Sequence, residues 1–166
     1  MRLGILSDSH DHLGNLKRAV EIFRAEGVTL LVHCGDLTRP GALALLRGFQ
    51  VIYVLGNMDR DAAAIQRELK AQDERNVVGP VYTGRVGETM IAATHGHLPG
   101  KLEALVGSGR YAYVFHGHTH QRRDELVGRT RIINPGALGD RRHESRSICL
   151  LDLATGLADF RTIANW

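Results

Sequence analysis

Five times in this chain a short apolar run breaks off on residues whose side chains can bind a cation, and no other feature restricts its fold as much. Leu3 to Leu6 leads into Asp8 and His10, Thr29 to Cys34 into Asp36, and Val51 to Leu55 into Asn57. Thr89 to Thr94 leads into His95 and His97, and Tyr113 to His116 into Gly117, His118, Thr119 and His120. Runs of this length read as buried strands. In an open α/β sheet, ligands gather beyond the carboxyl ends of the strands. Donors at five such exits therefore predict that the strands open onto one shared crevice. His118 and His120, two apart in a turn leaving a strand, can converge on a single point, as a metal site requires.

The remaining chain supplies the layers around those strands. Asn15 to Glu26 carries Leu16, Ala19, Val20 and Phe23 at helical spacing and stops at Gly27. Thr38 reads as the cap of a short helix starting at Arg39 and Pro40 and running to about Arg47, and Asp61 to Gln72 as a second with Ile65 and Leu69 on one face. Gln72 to Gly79 reads as a loop. Beyond Pro80 the texture turns strand-rich: Val81 to Val86, Thr89 to Thr94, Asp124 to Val127, Thr130 to Ile133, Ser147 to Leu153 and Ala158 to Ile163, with one helix from Pro99 to Val106. The expected fold is a single α/β domain of 166 residues, two packed mixed β-sheets flanked by helices in an αββα sandwich.

Composition narrows the setting. With 43% hydrophobic and 23% charged residues the chain is an ordinary globular protein, and its net charge of +3 is small. Only Lys17, Lys70 and Lys101 are lysines, so the basic residues are mostly arginine, the side chain suited to bidentate phosphate contact. Cys34 and Cys149 are isolated thiols, which fits a reducing compartment. No apolar run approaches ~18 residues, and Met1 to Leu6 has no leader character, so a cytoplasmic protein without a membrane partner is expected. Aromatic residues make up 5%, too few for a base-stacking cluster, which argues against sequence-specific nucleic-acid binding.

Seven donors are too many for one open catalytic ion and suit two ions that share a carboxylate. Taken singly, Asp8 also fits a turn or helix cap, Asn57 a turn residue with positive φ, and His95 or His118 a hydrogen-bonded polar side chain. Jointly those readings would have to explain the same coincidence at five strand exits. His33 reads as a core residue, Cys34 as a small buried hydrophobe, and His12 and His143 as solvated. Arg122, Arg123, Arg129 and Arg131 read as a solvated strand face. Arg39, Arg141 and Arg142 lie near the ligand-bearing loops and are candidates for phosphate contact, with a solvated loop charge as the alternative.

The five blocks Asp8-Ser9-His10, Gly35-Asp36, Gly56-Asn57, His95-Gly96-His97 and Gly117-His118-Thr119-His120 resemble, in order, those of the calcineurin-like metallophosphoesterases, and Asn134-Pro135-Gly136-Ala137 resembles the loop that follows them. The short length and the His-Gly-His block are similar to the small bacterial and archaeal phosphodiesterases of that family. The resemblance implies one ion held by Asp8, His10, Asp36 and His120, and a second held by Asp36, Asn57, His95 and His118. It also implies hydrolysis of a phosphodiester, small or nucleotide-like, by a metal-bridging hydroxide, and it suggests a homo-oligomer. The mixed donor set fits two divalent transition-metal ions, Mn²⁺, Fe²⁺, Zn²⁺ or Ni²⁺, with Mn²⁺ implied by the family. Larger members carry a histidine acid after the Gly-Asn pair; here that position is Met58, which has no proton to give. His97 then becomes the expected proton donor, with Asp59 in reserve. A related membrane-trafficking scaffold keeps this architecture, lacks part of the ligand set and binds proteins, so a scaffold with little catalysis is the alternative to an enzyme.

Overall fold

The computed structural model describes residues 1–139 and 145–163, so Arg141, Arg142 and His143 lie outside the described residues. In chain order the first half gives β1 (Arg2–Leu6), α1 (Leu13–Ala25), β2 (Leu30–His33), a 3-10 helix (Pro40–Leu46), β3 (Gln50–Val54), α2 (Ala62–Gln72) and β4 (Val77–Gly79). The second half gives β5 (Val81–Val86), β6 (Thr89–Thr94), α3 (Lys101–Gly107), β7 (Tyr113–Phe115), β8 (Arg122–Val127), β9 (Thr130–Pro135), β10 (Ser147–Asp152) and β11 (Ala158–Thr162).

Two sheets result, in the orders β11-β10-β1-β2-β3-β4 and β5-β6-β7-β9-β8. The strands that matter for function are parallel: β1 with β2, β2 with β3, and β6 with β7. Antiparallel strands complete both sheets, so each is mixed, as expected.

Side-chain alternation along each strand builds the layers. Leu3 and Ile5 of β1, with Leu30, Val32, Ile52 and Val54, meet Ile91, Ala93, Phe115 and Ile133 across the space between the sheets. The opposite face of the first sheet offers Leu6, Leu31, Val51 and Tyr53 to Leu16, Val20 and Phe23 of α1 and to Ile65 and Leu69 of α2. On the outer face of the second sheet, Ala92 and Val114 take Leu105 of α3 and Tyr111. Gly4 is what lets α1 sit so close: a Cβ there would lie 2.6 Å from Leu31 and 2.7 Å from Phe23. Burying a side chain the size of Phe23 contributes roughly 1.5–3 kcal/mol, so this approach is a real part of the stability.

Three local expectations need correcting. Thr38 caps nothing: it has φ 79°, and the helix after it is a 3-10 turn whose N-cap is Arg39 with no side-chain cap bond. Val77–Gly79 is a strand rather than loop, because it pairs in parallel with Ile52 to Val54 of β3. The third helix begins at Lys101, not Pro99, since Gly100 takes the left-handed N-cap conformation with φ 67°.

Candidate metal centre

Because β1, β2, β3, β6 and β7 point the same way within their sheets, the loops at their carboxyl ends gather at one edge of the molecule. The loop after β1 lies against the loop after β2, with the Asp8 N–H donating to Gly35 O at 2.9 Å and the His10 N–H to Asp36 O at 3.1 Å. The loop after β7 reaches the same place, where the His118 N–H donates to Asp8 Oδ2 at 3.0 Å.

Asp8 is fully buried, and its two oxygens do different work. Oδ2 accepts from Ser7 Oγ at 2.5 Å and from the His118 N–H. Oδ1 has no hydrogen-bond partner and stands 3.2 Å from His120 Nε2, 3.8 Å from His10 Nε2 and 3.9 Å from His95 Nε2. His10 and His120 bring their Nε2 atoms within 3.3 Å of each other. His95, also fully buried, donates Nδ1–H to the Cys34 carbonyl at 2.6 Å, which leaves a lone pair on Nε2 in the neutral ring. That Nε2 lies 3.4 Å from Asp36 Oδ2, while Asp36 Oδ1 accepts the Met58 N–H at 2.8 Å.

Two sets of donor atoms lie within 4.8 Å of one another: Asp8, His10 and His120, and Asp8, Asp36 and His95. Asn57 and His118 belong to neither set but line a crevice of about 530 Å³ together with His10, Asp36, Met58 and His120. The His118 ring centroid is 5.0 Å from that of His95. Asp8, not Asp36, is the residue common to both sets, whereas the resemblance makes Asp36 the bridge.

Donor chemistry and geometry both fit divalent cations. Buried polar atoms ordinarily have partners, yet Asp8 Oδ1 and His95 Nε2 are buried without one and converge. The surrounding donors are carboxylate and imidazole without a thiolate, which suits Mn²⁺, Fe²⁺, Zn²⁺ or Ni²⁺. Burial works against a charged His95, but Asp36 and Asp8 outweigh it and raise its pKa. Asp36 is held below the usual carboxylate range against its own burial by His95 and the Met58 N–H. Burial and the neighbouring His95 lower His118, favouring the neutral ring that a ligand needs.

His97 stands beside this cluster, its ring 5.3 Å from that of His95 and 6.3 Å from that of His118, with Nδ1 buried and unpartnered. Burial, with His95 and His118 nearby, lowers its pKa. Asp59 is no proton donor to this crevice. It is buried, and its two oxygens accept from the N–H groups of Asp36, Leu37, Thr38 and Gly56 and from the Tyr53 hydroxyl. Arg39 is exposed and pairs with Asp11 at 3.0 Å. His33 stacks on Tyr53 at 4.6 Å, Cys34 is buried with its thiol pKa pushed well up by that burial, and His12 is exposed. Arg123 pairs with Glu125 and Arg131 with Asp124, a solvated strand face as read from the sequence.

One feature had no sequence signal. Asp8, His10, Asp36, His118 and His120 all have positive φ, between 41° and 68°, a region that Asp and His enter more readily than most residues. Asn134 holds the loop after β7 by donating to Gly117 O and Thr119 Oγ1, each at 3.0 Å.

Residues 1–156 match the family model of the calcineurin-like phosphoesterase superfamily domain. A phosphodiesterase of Methanocaldococcus jannaschii is 36% identical over 141 residues, covering 82% of this chain and 83% of that protein. A solved archaeal phosphodiesterase superposes with a TM-score of 0.93 at 32% identity, covering 98% of this chain and 99% of that one. Vps29 from Chaetomium thermophilum, at 14% identity and a TM-score of 0.72 over 97% of this chain and 93% of that one, shares the fold alone.

Proposed function

Since the chain belongs to the calcineurin-like phosphoesterase superfamily, we propose that it is a dinuclear metal-dependent phosphodiesterase, a phosphoric diester hydrolase acting on a small or nucleotide-like diester. The observation that carries this reading is the convergence of the unpartnered Asp8 Oδ1 and His95 Nε2 among His10, Asp36 and His120. In the partition the resemblance implies, Asp8, His10, Asp36 and His120 would hold one ion, and Asp36, Asn57, His95 and His118 the other, with Asp8 Oδ1 close to both sets. Mn²⁺ is the proposed metal. When bound, the two ions would supply an acidified water as nucleophile and neutralise charge on the phosphoryl oxygens.

The chain's own residues prepare that chemistry. Ser7 and the His118 N–H fix one Asp8 oxygen so that the other faces inward. The Cys34 carbonyl fixes the tautomer of His95, the outer hydrogen bond that metal-binding imidazoles generally require. Met58, 38% exposed on the crevice wall, carries no proton. His97 supplies one to the leaving oxygen. Two buried free thiols, Cys34 and Cys149, support a reducing, cytoplasmic setting. Among the described residues no helix is long and apolar enough to cross a membrane.

Elemental analysis of protein purified without chelator, followed by diester hydrolysis after reloading, tests the reading. Two transition-metal ions per chain are expected, and Asp36→Ala should lose both metal and hydrolysis. Unchanged metal and activity in Asp36→Ala would overturn the assignment, as would recovery with only Mg²⁺ or Ca²⁺. A metal-free, inactive wild-type protein would favour a binding scaffold instead.

A further inference from the structure

Every backbone N–H from Gly35 to Thr38 is taken by a buried side chain. Gly35 donates to His33 Nδ1 at 3.1 Å, and Asp36 to Asp59 Oδ2 at 3.0 Å. Leu37 donates to Asp59 Oδ1 at 3.1 Å and to the Tyr53 hydroxyl at 3.2 Å, and Thr38 to Asp59 Oδ1 at 3.1 Å. Asp59 Oδ2 further accepts from the Tyr53 hydroxyl at 2.9 Å and from the Gly56 N–H at 2.8 Å. The loop so held is strained at two residues, with φ of 58° at Asp36 and 79° at Thr38. A non-glycine residue in that region costs of order 1–3 kcal/mol and persists only where its surroundings over-determine it.

The exchange runs in both directions. Asp59, on the loop after β3, gathers three consecutive amides of the loop after β2, and Asp36 on that second loop accepts the Met58 N–H of the first at 2.8 Å. One loop carries Asp36 and the other Asn57, both proposed ligands of the same ion.

We propose that Asp59 is a positioning residue for the metal centre, its carboxylate locking the Gly35 to Thr38 loop in the conformation, left-handed at Asp36 and Thr38, that presents Asp36 to the crevice and tying it to the loop that carries Asn57. The inference rests on the dinuclear reading above. An acceptor at both oxygens is essential. An asparagine amide at the Oδ1 edge would face the Leu37 and Thr38 N–H groups, and at the Oδ2 edge those of Asp36 and Gly56, so either orientation sets donor against donor. Leaving such buried donors unpaired releases the constraint on Asp36.

The test is Asp59→Asn in the full chain, with Mn²⁺ binding followed by calorimetry and electron paramagnetic resonance beside thermal melting of the metal-stripped protein. Mn²⁺ affinity of the folded variant should fall about 10- to 100-fold, the usual cost of losing an outer partner of a metal ligand. The spectrum should change from that of a spin-coupled pair to that of isolated ions. A merely structural role would lower the melting temperature of the metal-stripped variant while leaving affinity and coupling as in wild type, and that result overturns the proposal. If Asp59→Asn does not fold, Tyr53→Phe removes one of the five donors and should weaken Mn²⁺ binding about fivefold, one hydrogen bond's worth; unchanged affinity there overturns it equally. Wild-type protein that binds no Mn²⁺ would overturn the dinuclear reading and this inference together, whereas a wild-type coupled pair that persists in the variant overturns this inference alone.

Discussion

His95 and Cys34 are joined by a hydrogen bond of 2.6 Å from an imidazole Nδ1–H to a backbone carbonyl, and both residues are wholly buried. A carbonyl can only accept, so a proton sits on Nδ1, and in the neutral ring Nε2 keeps its lone pair toward Asp36 and Asp8. Replacing His95 with alanine should remove one ion of two and slow diester hydrolysis more than ~100-fold, since outer partners of a ligand already cost 10–100-fold. Metal stoichiometry by elemental analysis, read beside the rate, checks this. Two ions retained in the variant would take His95 out of the ligand set.

Met58 and His97 together set how the leaving group departs. General acid catalysis typically contributes 10²–10⁴-fold, most for poor leaving groups. With His97 as the acid, His97→Ala should slow alkyl diesters by about that factor and aryl diesters much less, with metal content intact. Equal loss for both substrates, accompanied by loss of metal, would make His97 a ligand or packing residue.

His33 predicts the acid limb of stability. Burial is the main cause of a pKa lowered from 6.5 to about 4, so the folded protein holds this ring neutral while the unfolded chain protonates it. Between those values the unfolded state binds more protons, so stability is fully present above pH 6.5 and is lost as pH falls toward 4. The gap corresponds to about 3 kcal/mol. His33→Asn, which keeps an acceptor for the Gly35 N–H, should flatten the dependence of unfolding free energy on pH in that window. Denaturant titrations at a series of pH values measure the slope, and an unchanged slope would assign acid sensitivity to other groups.

Gly117 has no room for a side chain. A Cβ there would run into Ser7 Oγ and lie 2.6 Å from Asp8 Oδ2, the pair that orients Asp8. Gly117→Ala should therefore impair metal uptake more than folding. Circular dichroism close to wild type, with metal content well below two ions per chain, is the expected result.

Legibility in the sequence followed physical range. The strand exits could be read because each is a local change from apolar to polar residues, and Val81–Val86 and Thr89–Thr94 fell where the pattern put them. β4 was missed because three residues after a polar stretch become a strand only through pairing with Ile52 to Val54. The seven proposed ligands were visible as residue types at strand ends, but the left-handed backbone of five of them, Asp8, His10, Asp36, His118 and His120, was not, since that conformation is imposed by partners far along the chain. Asp59 shows this most clearly. As a carboxylate near Asn57 it suggested a proton donor, and only the amides of Asp36 to Thr38, 21 to 23 residues earlier, reveal it as an acceptor hub.

The contact between His10 and His120 spans 110 residues, as does that between Asp8 and His118. During synthesis the amino-terminal half therefore emerges with Asp8, His10, Asp36 and Asn57 and must wait for His95, His118 and His120. A half-made chain offers only a carboxylate-rich partial site with one imidazole, the kind of oxygen-dominated set that suits Mg²⁺ or Ca²⁺. The nitrogen donors that favour a transition metal arrive only when the second sheet is in place, so selection among cations becomes a late event, coupled to the docking of the two halves.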